Sequence, residues 1–344
     1  MPDTLPCTFP ADKLDPGRRT GLVLCGMGGP DGPEAVEPFL RNLFSDPMIF
    51  PVPRPFNKVL GAMIAALRTP GVKKRYLEVS PDGRTPQLDT TLAQSQALAE
   101  RLTAAGLPTE PGMAMRYWRP WPQDTVRAMQ DAGCEQYVLV PTYPQYSCAT
   151  NGATLGFVLE GLKKVAPDAS VHVVPDWPLQ DGFIDALARP AAATINDWAA
   201  AGHDPSTCAL LYVAHSLPMK FIDAGDPYDK RTDLTVTEAH ARVSKTVADA
   251  GHADWLARLD GGPVPRLAYQ SRVGPIKWLG PEVTAEVERL AAAGIEHLHV
   301  QPVSFTCEHI ETLMELDIEL REDAEEAGIS DYRRGAALNL DEGW

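Results

Sequence analysis

The sequence predicts an α/β fold with parallel sheet covered by helices on both faces, and three observations carry that prediction. Short apolar runs alternate with longer helical patterns along the chain, the order that builds parallel sheets. One run, Cys208 to Val213, is continuously apolar, as a strand buried on both faces must be. A ten-residue segment, 132–141, also aligns without gaps on 293–302, a helix end, turn and strand repeated 161 residues apart.

In chain order the expected strands are Gly21 to Cys25, Gly112 to Tyr117, Gln136 to Val140, Ser170 to Val174, Ala209 to Val213, Arg266 to Gln270 and His297 to Pro302. Between them, helices are expected over Asp89 to Leu102, Gln123 to Ala132 and Glu282 to Ala293, stopped by Gly106, Gly133 and Gly294. The last has Pro281 suited to its first position and Val283, Val287 and Leu290 at core spacing. Ligands of such sheets bind beyond the carboxyl ends of the strands.

Composition narrows the function. At 344 residues and 44% hydrophobic content the chain can bury one large core or two lobes. A net charge of −15 excludes nucleic acid as a natural partner. No amino-terminal segment has signal-peptide form and no apolar run could span a bilayer, so a cytoplasmic enzyme is expected. The cysteines at 7, 25, 134, 148, 208 and 307 form no CxxC pair and are expected to be reduced thiols.

Two segments carry chemistry. In Thr306 to Glu319, Glu311, Glu315 and Glu319 stand at i, i+4 and i+8. On one helix face, like charges at that spacing cost stability, but a row of carboxylates suits a divalent cation or shared protons. The competing explanation is a plain solvated acidic face. The second segment, Val213 to Met219, places His215 just past the Cys208–Val213 strand, where open sheets bind ligands.

Together these two strings, AHSLPM and HIETLMELDIE, resemble signatures of the ferrochelatase family. The resemblance continues through Met27–Pro30, Pro38–Pro47, Met115–Trp118, Tyr143–Cys148, Gly225–Tyr228, Tyr269–Pro275 and Trp278–Pro281, in order from about residue 21 to 321. It implies two similar Rossmann-like lobes of class II chelatase type with the active site in a cleft between them: an amino-terminal lobe over 18–152 and a carboxy-terminal lobe over 153–330, the last helix and tail packing back on the first. The activity it implies is insertion of ferrous iron into protoporphyrin IX, giving haem. A chelatase for coproporphyrin III or another tetrapyrrole, and a non-catalytic porphyrin-binding relative, are the alternatives.

Metal insertion must remove two N–H protons from a flat apolar ring. It needs a base usable near neutral pH, a bent ring and a route for the metal. The resemblance gives His215 the base role, which a neutral imidazole suits, and Glu311 the partner carboxylate. Glu315 and Glu319 continue a metal path. Met27, Tyr117, Tyr146 and Trp278 match walls of the substrate site, where ring strain of about 1–5 kcal/mol is drawn from binding. Arg116 is expected to pair with a substrate propionate, and His309 to stand next to the acidic row. Some relatives hold a [2Fe–2S] cluster. Cys148 matches one ligand position, but no cysteine follows Cys307, so no cluster and no other cofactor is expected, and Cys148 is expected to be a buried apolar thiol. The stretch 48–64 is apolar enough for peripheral membrane contact, with core packing as the alternative. The sequence departs from relatives at Cys25-Gly26, in the loop Ser80–Pro86, at Arg119 and at Glu308.

Overall fold

The computed structural model describes residues 8–49, 56–259 and 265–344, and the chain divides into two compact units, Met1–Asp176 and Trp177–Trp344. In the first unit β1 (Thr20–Gly26) lies between β2 (Thr109–Met115) and β3 (Gln136–Pro141), and β4 (Ser170–Val173) closes the far edge, giving the parallel order β2-β1-β3-β4. Leu22, Val23 and Leu24 of β1 are buried on both faces, as a central parallel strand requires. One face packs Val23, Cys25, Leu139 and Val171 under Val126 and Met129 of the helix Pro122–Asp131 and under Leu155, Val158 and Leu162 of the helix Ala153–Val165. β2 starts earlier than expected, because Thr109 and Glu110 pair with Thr20 and Gly21, and Pro111 is tolerated on an edge strand. It ends before Arg116, whose backbone N–H turns to the Gly26 carbonyl at 2.9 Å.

The second unit repeats this plan. β5 (Cys208–His215) lies between β6 (Arg266–Gln270) and β7 (His297–Pro302), and β8 (Asp331–Arg334) completes the order β6-β5-β7-β8. Its core joins Leu211, Val213, Leu298 and Val300 to Val287 and Leu290 of the helix Val283–Ala292 and to Leu316, Leu320 and Ala324 beyond β7. The 132–141 and 293–302 repeat is therefore β3 and β7 with the helix ends before them. Gly133 and Gly294 take left-handed φ of 87° and 92° in matching turns, a conformation glycine adopts without a Cβ penalty.

Four expectations are corrected. The division falls after Asp176, not at 152, because the helix Ala153–Val165 and β4 complete the first sheet. The carboxy-terminal tail packs on the second unit: Asn339 N donates to the Thr306 carbonyl at 2.9 Å, Asp341 pairs with Arg189, and Trp344 stacks on Trp177 at 5.4 Å. Pro281 precedes its helix, whose cap is Glu282, accepting from Ala285 N at 2.9 Å. Cys148 is half-buried, not fully buried, while Cys25, Cys134, Cys208 and Cys307 are buried free thiols; Cys7 lies outside the described residues.

Candidate functional site

The second unit gathers its titratable groups where β5, β6 and β7 end. His215 closes β5, and its Nδ1–H donates to the Ser216 carbonyl at 2.6 Å, so Nε2 is turned to Glu311 Oε1, 3.4 Å away. The Tyr228 hydroxyl donates to the His215 carbonyl at 2.9 Å and lies 3.0 Å from Ser304 Oγ, fixing the strand end beneath the ring. An unprotonated Nε2 facing a carboxylate would set two acceptors against each other. Burial pushes the imidazole pKa down, but the Glu311 charge and hydrogen bond and then Glu315 outweigh it, raising His215 to about 9. The site thus favours the imidazolium form of His215.

Past β7 the chain turns into a short helix, Ile310–Leu313, capped by His309. His309 Nδ1 accepts the Glu311 N–H at 3.1 Å and Thr312 Oγ1 accepts the His309 N–H at 3.0 Å, a reciprocal cap. Burial lowers the His309 pKa, although Glu311 and Glu308 oppose it, so this ring is neutral with Nε2 3.9 Å from Glu311 Oε2. One carboxylate thus lies between two histidines in opposite charge states.

Glu315 is held from β6. Gln270 Nε2 donates to Glu315 Oε2 and to the Glu311 carbonyl, both at 2.9 Å, and Ser271 Oγ donates to the same Glu315 oxygen. Ser271 takes a left-handed φ of 66°, backbone strain of the kind that persists where the surroundings impose it. Burial and then the Glu311 charge raise the Glu315 pKa, against the two hydrogen bonds.

The acidic row does not run along a plain α-helix. Glu315–Glu319 is a π-helical segment, closed by Glu319 N donating to the Met314 carbonyl at 2.9 Å. On an α-helix each four-residue step overshoots a full turn by about 40°, so three such positions drift round the surface. A wider turn between 315 and 319 turns that drift back. Its freed carbonyls find other donors: the Tyr332 hydroxyl serves Leu316 at 2.7 Å and Arg321 Nε serves Asp317 at 3.1 Å. Glu319 is half-buried at the far end. Trp278 is also half-buried, in the loop from Ser271 to Pro281 that runs beside the loop after His215, with Met219 N donating to Lys277 O and Leu279 N to Leu217 O.

In the first unit Met27, Arg116, Tyr117 and Tyr146 stand at the ends of β1, β2 and β3. Met27 is half-buried and accepts the Tyr117 N–H on its carbonyl at 3.0 Å; Tyr146 is buried. Arg116, expected to meet a propionate, already has a carboxylate partner within the unit, while its Nη1 has no hydrogen-bond partner. Its Nε donates to Asp46 Oδ2 at 2.8 Å, and the Tyr117 hydroxyl donates to the same oxygen at 2.6 Å. Both partners of the Arg116–Asp46 ion pair are 11% exposed, so the charge is neutralised inside the unit. Gln270, Ser271 and Tyr228 were not expected at the site. All are polar residues at or beside strand ends, and their near-complete burial, or for Ser271 its φ, distinguishes them only in three dimensions.

The chain matches the family model described as Ferrochelatase over residues 19–344. Three similar curated proteins are named Ferrochelatase: from Gloeobacter violaceus, 36% identical over 94% of this chain and 93% of that one; from Phenylobacterium zucineum, 38% identical over 94% and 88%; and from Gloeothece citriformis, 36% identical over 93% and 78%.

Proposed function

The chain belongs to the ferrochelatase family, enzymes that insert metal into porphyrin, and we propose that its substrates are ferrous iron and protoporphyrin IX. The observation that carries the reading is the His215–Glu311–Glu315 group, in which a base, its carboxylate and a second carboxylate adjoin.

Metallation exchanges two ring N–H protons for one divalent cation. A His215 ring favoured as imidazolium must lose that proton before it can accept another. A cation arriving on Glu311 and Glu315 supplies positive charge where the carboxylates had stabilised the imidazolium, which lowers the His215 pKa and releases the proton. The neutral Nε2 then accepts a pyrrole proton and passes it to solvent along the carboxylates; the second proton follows the same path as the metal enters the ring. Glu319 is assigned the outer end of the metal route and His309 the positioning of Glu311. Met27, Tyr117, Tyr146 and Trp278 are assigned to the ring.

Protoporphyrin IX is preferred over coproporphyrin III because it carries two propionates instead of four. With Arg116 neutralised by Asp46 and a chain charge of −15, a less anionic substrate fits better. We assign no iron–sulfur cluster to this fold, a reading supported by the burial of Cys25, Cys134, Cys208 and Cys307 as free thiols. Peripheral membrane contact is supported by Phe56, Val59, Met63 and Leu67, 57–80% exposed along one helix, whose buried positions are instead Asn57, Gly61, Ala65 and Tyr76; residues 50–55 of the apolar stretch lie outside the described residues. Among the described residues no helix is long and apolar enough to cross a membrane. Anaerobic assays with ferrous iron and each porphyrin are expected to give the higher kcat/KM with protoporphyrin IX. A preference for coproporphyrin III would replace that assignment, and tight porphyrin binding without metallation would replace the enzyme assignment.

A further inference from the structure

The π-helical segment that carries the acidic row is tied down on its far side by one guanidinium. Arg334, at the end of β8, is 9% exposed. Its Nε and Nη2 donate to the two oxygens of Asp317 at 2.6 and 2.7 Å, and its Nη1 donates to Glu308 Oε1 at 2.9 Å. Asp317 lies inside the segment, between Glu315 and Glu319. Glu308 immediately precedes His309, the cap that holds the Glu311 N–H, and Glu308 Oε1 also accepts from Ala337 N at 2.8 Å. A single side chain therefore fixes both the start of the short helix and the middle of the wider turn.

We propose that Arg334 is a positioning residue for metal insertion: by clamping Asp317 and Glu308 it holds the π turn in register, and thereby the spacing of Glu311, Glu315 and Glu319 along the metal route. The inference rests on the reading of those carboxylates as the metal path. Its physical basis is that π-helical geometry is intrinsically poorer than α-helical geometry and persists when side chains satisfy what it leaves over. Tyr332 and Arg321 satisfy the carbonyls of Leu316 and Asp317. Arg334 fixes the middle of the segment from β8, through a fork that lysine cannot reproduce. Without it the segment is free to relax by one residue toward regular α-helix, which rotates Glu319 away from the line of Glu311 and Glu315.

The test compares Arg334→Lys and Asp317→Asn with the parent in the full chain. Zn2+ affinity is measured without porphyrin by competition with a chromophoric indicator, together with the separate KM values for metal and porphyrin. Residues that orient metal ligands are typically worth roughly 10–100-fold in metal affinity. Both substitutions are expected to weaken Zn2+ binding and raise the metal KM on that scale while leaving the porphyrin KM unchanged. Combining them should cost no more than the larger single effect, because they break the same contact. A purely structural role would lower the melting temperature and kcat without separating the two KM values, and that result overturns the proposal. If Arg334→Lys does not fold, Asp317→Asn, which keeps shape and loses the charge, decides the matter. Glu315→Gln separates the two layers of argument. An unchanged metal KM there overturns the metal-path reading and the clamp together; a raised one beside an unaffected Asp317→Asn overturns the clamp alone.

Discussion

The two units share strand order, helix placement and glycine-ended turns, yet they treat the charges at their strand ends in opposite ways. Beyond β2, Arg116 and Asp46 neutralise each other and the Tyr117 hydroxyl completes the set. Beyond β5 and β7, Glu311 lies between a protonated and a neutral histidine, and Glu315 accepts from the uncharged donors Gln270 and Ser271. The same contrast recurs in backbone. Both units have a π-helical segment past the third strand, but in the first, Cys148–Gly152, it starts directly after the cap Ser147 and carries no acid. In the second it begins a turn later, at Glu315, and carries three. The two units share the frame. Chemistry resides where the frame leaves charge unsettled.

The largest expected effect breaks the second unit's side of this contrast. His215→Ala removes the proton acceptor and should cut kcat by about 10²–10⁴-fold, the usual range for a general base, while porphyrin binding survives because a base contributes little to holding an apolar ring. Steady-state rates and porphyrin fluorescence quenching read the two quantities. A well-folded His215→Ala enzyme with near-normal turnover removes His215 from the mechanism. In the first unit the corresponding break is one of stability. Asp46→Ala leaves a buried guanidinium without its counter-charge, and losing one partner of such a pair costs about 3–5 kcal/mol. Chemical denaturation should show that loss. An undiminished midpoint would mean that Arg116 finds another partner and that the first unit's charges are not settled internally.

Much of this architecture was legible in the sequence because burial on both faces leaves a strong signal. β6 and β7 occur with the expected bounds, and the repeat in 132–141 and 293–302 anticipated the shared sheet order. β8 was not legible. Asp331–Arg334 shows a single large apolar side chain, Tyr332, and its arginines point to ion pairs: Arg333 with Asp331 and Asp197, Arg334 with Asp317 and Glu308. The acidic row was visible as a spacing, but a π turn preserves that spacing and so leaves no trace in periodicity. The Arg116–Asp46 pair was not legible for a related reason. The counter-ion Asp46 lies far back in the chain, and no local pattern links the two.

The smallest expected effect sharpens the comparison inside the sheets. At the repeat interval, His299 and Gln301 of β7 stand where β3 has Val138 and Val140. His299 is 1% exposed, with Nδ1 accepting from Thr194 Oγ1 at 2.9 Å and Nε2 donating to Gln301 Oε1 at 3.3 Å. Burial depresses its pKa to about 4, against the Gln301 hydrogen bond and with help from Arg333 and Arg334. The unfolded imidazole titrates near 6.5. On acidification the unfolded chain therefore takes up a proton that the folded chain refuses, and stability drains away between about pH 6.5 and pH 4, by up to about 3 kcal/mol. His299→Val gives the second unit the first unit's residue. It removes the partner of Thr194 Oγ1 and of Gln301 Oε1, which should cost about 1–3 kcal/mol at neutral pH, but it removes the proton uptake. Thermal unfolding across that pH range should give a flatter dependence for the variant, since the carboxylates contribute equally to both proteins. Parallel curves for parent and variant would mean that His299 takes up a proton in the folded state too, and the contrast between the two sheets would carry no pH dependence.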